Sequence, residues 1–359
     1  MEPERTPREQ ESDEDSEDEV AFYELPEWAD VVPIPQDDGP NPLVPIAYAE
    51  EYSKTMDYFR AICRSGEMSE RALKLTKIVI GLSSSHYTVW YYRQKLLEAL
   101  NTDLNKELEW TGDMIIENQK TYQIWHHRQL IVERLAKSLL SDPTLTSSSK
   151  IPYQDLTATQ QEDIREIVRA ELVFIASALA KDSKNYHAWS YRQWVMAHFG
   201  KGPWWEEELS YIEDLLTADI RNNSAWNQRF FVISQGAEGF TEEIVQRELQ
   251  FTKSKITRTP SNESPWVYMA GILNKANRPL SEVRSFCEEL LEATNAKFSP
   301  FVHSFLLDIY EQDAKEKKTL ESVKKATEEA VFLAEKVDTM RSKYWTWRKN
   351  QLQSILVDA

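Results

Sequence analysis

Apolar and polar positions along most of this chain alternate with a helical period. In Leu104-Leu108-Thr111-Ile115, in Trp205-Leu209-Ile212-Leu216 and in Ile164-Ile167-Val168-Glu171-Leu172-Ile175-Leu179 the core-type residues share one face of a helix. No stretch alternates β-branched and polar residues, so no sheet is expected. The string Trp-x-x-Arg recurs at Trp90/Arg93, Trp125/Arg128, Trp189/Arg192, Trp226/Arg229 and Trp345/Arg348. Trp266 opens a related unit without the arginine, and Phe301, in Ser299-Pro300-Phe301-Val302-His303, is read as filling the tryptophan slot of another. The separations are then 35, 64, 37, 40, 35 and 44 residues, and the long one contains a polar insertion, Ser141 to Lys150, expected as a surface loop. One motif per unit at such periods indicates stacked helical hairpins. The fold class expected is therefore all-α: an outer amphipathic helix followed by a tryptophan-bearing helix in each unit, the units stacked as a curved α-α superhelix.

The pattern fails at the N-terminus. Residues 1–20 hold ten acidic residues against two arginines, too little apolar surface to offset the entropy of ordering, and are expected to be a disordered tail. Residues 21–47 carry six prolines, which block a helix, together with Trp28, Val31, Val32, Ile34, Leu43 and Val44. They read as an extended segment laid on a folded surface, its own or a partner's. The repeat domain is placed at 48–359.

Composition narrows the function. Lys+Arg minus Asp+Glu is 42 − 59 = −17, which argues against a general nucleic-acid binder. Nine glycines argue against glycine-rich phosphate loops, and two cysteines, Cys63 and Cys287, make neither a disulfide framework nor a zinc set. The acidic start is unlike a secretory or mitochondrial leader, the end Leu-Val-Asp-Ala is not a lipidation box, and no apolar run is long enough to span a bilayer. A soluble, cytoplasmic protein is expected, without membrane insertion. There is no Gly-x-x-x-x-Gly-Lys-Ser/Thr, Gly-x-Ser-x-Gly or His-Glu-x-x-His, and the six histidines lack ligand spacing, so no metal site is expected on this chain. The many carboxylates read as solvated helix faces.

The residues just before each tryptophan are more informative. Three positions before it stand Tyr87, Tyr122 and Tyr186, and five before it Lys120, Lys184 and Arg221. Four before it stand Thr121, Asn185, Asn222 and Asn262, good helix N-caps. These positions mark parallel helix starts along one rim. Two readings fit them: ordinary caps with solvated lysines, or a site for phosphate or carboxylate at helix N-termini. By residues alone, the chain is a curved helical repeat suited to embracing another protein.

Lys120-Thr121-Tyr122-Gln123-Ile124-Trp125-His126-His127-Arg128, Asn185-Tyr186-His187-Ala188-Trp189 and Arg221-Asn222-Asn223-Ser224-Ala225-Trp226-Asn227-Gln228-Arg229 resemble the repeats of the protein prenyltransferase α subunits. With Pro26-Glu27-Trp28-Ala29-Asp30 and Asp38-Gly39-Pro40-Asn41-Pro42, the likeness is to the α subunits shared by protein farnesyltransferase and geranylgeranyltransferase type I. The resemblance implies a crescent-shaped right-handed superhelix around a β subunit that holds zinc and the isoprenoid pocket. The heterodimer it implies transfers farnesyl or geranylgeranyl from its diphosphate to the cysteine of a C-terminal CaaX box, as on small GTPases, with magnesium assisting diphosphate release.

Carried over by the same resemblance, Lys120 contacts the isoprenoid diphosphate, and Tyr186 and His187 line its side of the site. Gln123 bonds the CaaX carboxylate, and Tyr122 and Tyr87 stand near the peptide. Asn185 falls at a substrate-side position, mainly supportive, and Arg128, Trp189 and Arg192 at supporting ones. Thr121 and His86 stand where the family often has Asn. A Rab-type geranylgeranyltransferase α subunit is the nearest alternative; a tetratricopeptide-like scaffold is disfavoured by the irregular period and the Trp-x-x-Arg opening.

Overall fold

The computed structural model describes residues 21–140, 150–236, 239–293, 295–317 and 319–355. The acidic tail and residues 141–149 of the insertion lie outside them. All regular structure among the described residues is helical, in two compact units, the first ending at Val132 and the second beginning at Glu133. The first carries α1 (Glu50–Ser65), α2 (Glu70–Leu82), α3 (Tyr87–Ala99), α4 (Leu104–Glu117) and the start of α5 (Tyr122–Leu140). The second continues with α6 (Ala158–Lys181), α7 (Tyr186–His198), α8 (Trp204–Ala218), α9 (Asn223–Gln235), α10 (Glu242–Arg258) and α11 (Glu263–Lys275). It ends with α12 (Arg284–Ala293), α13 (Pro300–Lys317), α14 (Leu320–Phe332) and α15 (Ser342–Ser354).

In the second unit, α7, α9, α11 and α13 pack on one another in order, while α6, α8 and α10 each pack on the tryptophan helix that follows. The two layers follow from the pattern: the tryptophan helices carry apolar residues most of the way round, whereas the outer helices bury one stripe. Trp90, Trp125, Trp189, Trp226 and Trp266 are all buried.

In three of the Trp-x-x-Arg units, those of Arg93, Arg192 and Arg229, the arginine joins three helices. Arg93 on α3 bonds Glu107 of α4 through two parallel N–H···O contacts, Nε–Oε1 2.7 Å and Nη2–Oε2 2.6 Å, and reaches back to the Leu73 carbonyl of α2. Arg192 on α7 does the same with Glu208 of α8 and the Leu172 carbonyl of α6. Arg229 on α9 grips Glu248 of α10 and meets Glu213 of α8. Arg128 bonds the Leu108 carbonyl of α4 at 2.7 Å. An aromatic ring three residues after the glutamate covers the guanidinium: Trp110 over Arg93 at 4.1 Å, Tyr211 over Arg192 at 4.1 Å, Phe251 over Arg229 at 3.8 Å. The residue two after the tryptophan completes each carboxylate. His127 Nε2 lies 2.7 Å from Glu107, Gln228 donates to Glu208, and Tyr191 and Tyr268 donate to Glu171 and Glu248. Gln94 lies 2.6 Å from His127 Nδ1 and, as its donor, leaves the ring proton on Nε2, so a neutral imidazole suffices.

These contacts correct three sequence expectations. Glu107, Glu208 and Glu248 are buried rather than solvated, because each meets charge-assisted donors that compensate for lost water; Glu171 is buried too, on the core-type face where the pattern put it. The buried stripe of α8 is Trp204-Glu208-Ile212-Leu216, with Trp205 and Leu209 half-buried beside it. The tryptophan slot of α13 belongs to His303, not Phe301. His303 Nε2 lies 3.0 Å from the Lys297 carbonyl six residues earlier, as every repeat tryptophan from Trp90 to Trp266 does with its own, and the separations become 37 and 42.

The proline-rich segment divides. Trp28 packs edge-on to Phe22 and Tyr58 with Arg71 over its ring, Arg71 bonds Asp30 at 2.6 Å, and Ile34 exchanges backbone and Arg60 bonds with α1. Trp28 to Ile34 thus lies on the chain's own helices, while Leu43, Val44 and Ile46 stay exposed.

Replacing Arg192 by Met should cost about 3–5 kcal/mol, because Glu208 is left buried without its cation. The paired change Arg192→Met with Glu208→Leu should recover most of that loss in urea unfolding. Burial pushes the Glu107 carboxyl upward, but hydrogen bonds from His127 and Arg93 and the Arg93 charge outweigh it and hold it at about 2, below its ordinary 4.5. A depressed carboxyl stabilises the fold fully above pH 4.5 and loses that contribution as pH falls toward 2. Glu107→Gln should therefore remove on the order of 3 kcal/mol from the acid limb of the stability–pH curve.

Candidate functional site

The site candidates lie in the turns that precede the tryptophan helices, and these turns are built alike. A buried tryptophan needs an acceptor for its indole N–H. Each one finds the carbonyl six residues earlier: Trp90 to Ser84 at 2.8 Å, Trp125 to Gln119 at 2.9 Å, Trp189 to Ser183 at 3.0 Å, Trp226 to Ile220 at 2.9 Å and Trp266 to Pro260 at 2.9 Å. In the second unit a second donor arrives from the next turn on the same carbonyl. Asn222 donates to Ser183, Asn262 to Ile220 and Ser299 to Pro260, at 3.2, 2.9 and 2.8 Å. In the first unit the Ser84 and Thr121 hydroxyls lie 3.3 Å apart and Gln123 Nε2 donates to the Ser85 carbonyl at 2.9 Å.

Asn185, Asn222 and Asn262 cap the helices. Asn185 Oδ1 accepts from the His187 and Ala188 amides, Asn222 Oδ1 from Ser224, and Asn262 Oδ1 from Ser264. The cap expectation holds for these three; Thr121 spends its hydroxyl on Ser84, and His86 makes no side-chain cap to α3.

In the first unit, Lys120 is exposed on the turn between α4 and α5 and forms no ion pair among the described residues. Tyr122 and Tyr87 project outward, 59% and 70% exposed. Gln123 is buried, one amide hydrogen committed to Ser85 and the other left for a second acceptor. In the second unit, Tyr186 is 77% exposed at the start of α7, its ring edge-on to half-buried His187 at 5.7 Å. Asn185 is buried in its cap, and Arg128, Trp189 and Arg192 are buried in the repeat joints rather than on the rim. The turns thus offer a cation, hydroxyls and amide donors, a set suited to anionic ligands.

Among the described residues no group of three His, Cys, Asp or Glu is placed to hold a metal ion, and no helix is long and apolar enough to cross a membrane. Burial raises the Cys63 thiol to about 11 and the Cys287 thiol to about 12, so both stay protonated near neutral pH.

Sequence reasoning missed the glutamates and the clamped carbonyls. The glutamates had a signal: Glu107/Trp110, Glu171/Phe174, Glu208/Tyr211 and Glu248/Phe251 repeat Glu-x-x-aromatic in α4, α6, α8 and α10. The carbonyls had none, since backbone acceptors leave no mark on residue type.

The pattern of the protein prenyltransferase alpha subunit repeat matches residues 69–100, 104–135, 168–199, 205–236 and 245–276, which are the helix pairs just described. The chain belongs to the protein prenyltransferase alpha-subunit family. Within it the chain is 38% identical to the protein farnesyltransferase/geranylgeranyltransferase type-1 subunit alpha of Solanum lycopersicum, over 95% of this chain and 93% of that one. It shares its fold with a chain of the Candida albicans protein geranylgeranyltransferase-I complexed with GGPP, with a TM-score of 0.73 and 29% identity over 90% of this chain and 97% of that one. The geranylgeranyl transferase type-2 subunit alpha of Mus musculus aligns over only 58% of this chain, at 26% identity and 26% of its own length. Relatives that cover more than nine-tenths of this chain include the alpha subunits shared by farnesyltransferase and geranylgeranyltransferase type 1.

Gln123→Ala should remove the tie between the two first-unit turns and lower stability by about 1 kcal/mol, the worth of one hydrogen bond. A thermal melt unchanged from wild type would show that the Ser85 bond is not made.

Proposed function

We propose that this chain is the α subunit of a heterodimeric CaaX protein prenyltransferase, working in the cytoplasm with a β subunit, an isoprenoid diphosphate and proteins ending in a CaaX box. Residues 48–359 serve as its repeat domain. The observation that carries the reading is Lys120: an exposed, unpaired cation among the described residues, on a turn fixed by Trp125, beside Tyr122 and Gln123, in a chain similar to those α subunits over nearly its whole length.

In this reading the cysteine sulfur attacks C1 of the isoprenoid, the C1–O bond breaks, and negative charge grows on the departing diphosphate. Lys120 stabilises that charge, which is where a positioned cation accelerates a reaction. Gln123 turns its remaining amide hydrogen to the peptide's C-terminal carboxylate, and Tyr122 and Tyr87 border the peptide. Tyr186, His187 and Asn185 take diphosphate-side positions on the strength of the resemblance. On the strength of the resemblance, the β subunit would hold zinc and magnesium would assist release of the diphosphate.

With the heterodimer assembled, Lys120→Ala should lower turnover by on the order of 10²–10³ while leaving peptide affinity nearly unchanged. Normal turnover in that variant would remove Lys120 from the chemistry. Gln123→Ala should weaken CaaX-peptide binding more than isoprenoid-diphosphate binding; equal losses would count against the carboxylate role.

A further inference from the structure

The turn that carries Lys120 is held on both sides of that residue. The carbonyl immediately before it, on Gln119, accepts the Trp125 indole N–H at 2.9 Å. The residue immediately after it, Thr121, places its hydroxyl 3.3 Å from Ser84 Oγ and donates its amide to Asn118 at 3.0 Å. Asn118 in turn is bonded by its amide to the Met114 carbonyl, which fixes the turn to the end of α4. Trp125 is buried and its indole has the one ring N–H, so the position of the Gln119 carbonyl is set by a group that cannot swing away without opening the core. Lysine's four-carbon stem is flexible. Where the ammonium spends its time is therefore decided by where the backbone starts it.

Trp226 makes the same bond to the Ile220 carbonyl, immediately before Arg221. There the carbonyl has a second donor, Asn262, at 2.9 Å. The two tryptophans share one local geometry, but of the two carbonyls they hold only that of Gln119 adjoins a residue assigned to the diphosphate.

We propose that Trp125 is a positioning residue for Lys120: its indole N–H fixes the Gln119 carbonyl and so places the lysine against the diphosphate oxygens. The inference rests on the reading of the chain as a CaaX prenyltransferase α subunit. Trp125→Phe keeps an aromatic ring in the core and removes the donor. In the assembled heterodimer it should lower the single-turnover rate of prenyl transfer by about ten-fold, since misplacing a reacting group by ~1 Å costs up to about a hundred-fold. The KM for the CaaX peptide should stay where it is.

A double-mutant cycle separates positioning from general damage. Combined with Lys120→Ala, Trp125→Phe should have little further effect, because the residue it positions is gone. Trp226→Phe, the same lesion two repeats further on, should change the rate less than two-fold in either background. An equal loss from Trp125→Phe with and without Lys120, or equal losses from Trp125→Phe and Trp226→Phe, would overturn the positioning role. A normal rate for Lys120→Ala alone would instead overturn the functional reading beneath it, so the two failures are distinguishable.

Discussion

The buried arginine–glutamate fork is the constraint on which the repeat depends. A helical hairpin cannot bury its apolar stripe alone, so each pair must be registered on the next. Packing of aliphatic side chains resists sliding weakly, whereas a planar guanidinium against a carboxylate has one good geometry. Arg93 with Glu107, Arg192 with Glu208 and Arg229 with Glu248 each set an outer helix against the tryptophan helix before it. The aromatic ring over each guanidinium and the donor from the following tryptophan helix leave neither ion short of partners. An ion pair so enclosed contributes less net stability than its distances suggest, because desolvation opposes it. Its consequence is register between each outer helix and the tryptophan helix before it.

The turns before the tryptophan helices are held locally as well: each indole N–H reaches the carbonyl six residues back, and in the second unit Asn222 and Asn262 reach the carbonyl of the turn before. The clamped turns are where Lys120, Lys184 and Arg221 stand. A repeat that looks purely architectural thereby holds polar side chains on fixed backbone, as a site for a charged ligand requires.

Much of the fold was legible in the sequence because its signals are local. The Trp-x-x-Arg period gave the hairpins, the asparagines before Trp189, Trp226 and Trp266 gave three helix starts, and the prolines kept α-helix out of the described residues before Glu50, though Phe22–Glu24 and Pro26–Trp28 form short 3-10 turns rather than extended chain. The errors have physical causes. Phe301 was placed in the tryptophan slot because an aromatic was sought there, whereas the slot selects a ring N–H donor, and His303 has one. The glutamates read as solvated because a carboxylate on an amphipathic helix usually is; only the arginine of the preceding repeat, 14 to 19 residues away, makes burial tolerable. Of the site, Lys120, Tyr87, Tyr122 and Tyr186 stand on the expected turns, but Gln123 and Asn185 also hold backbone, which residue type does not reveal.

The most direct test of the account is to express the chain with the β subunit of a CaaX prenyltransferase, isolate what co-elutes on size exclusion, and measure prenyl transfer to a CaaX peptide beside each subunit alone. The account predicts a stable heterodimer with transfer activity that neither subunit shows by itself. A chain that elutes as a monomer in the presence of the β subunit, or a heterodimer no more active than the β subunit alone, would contradict it.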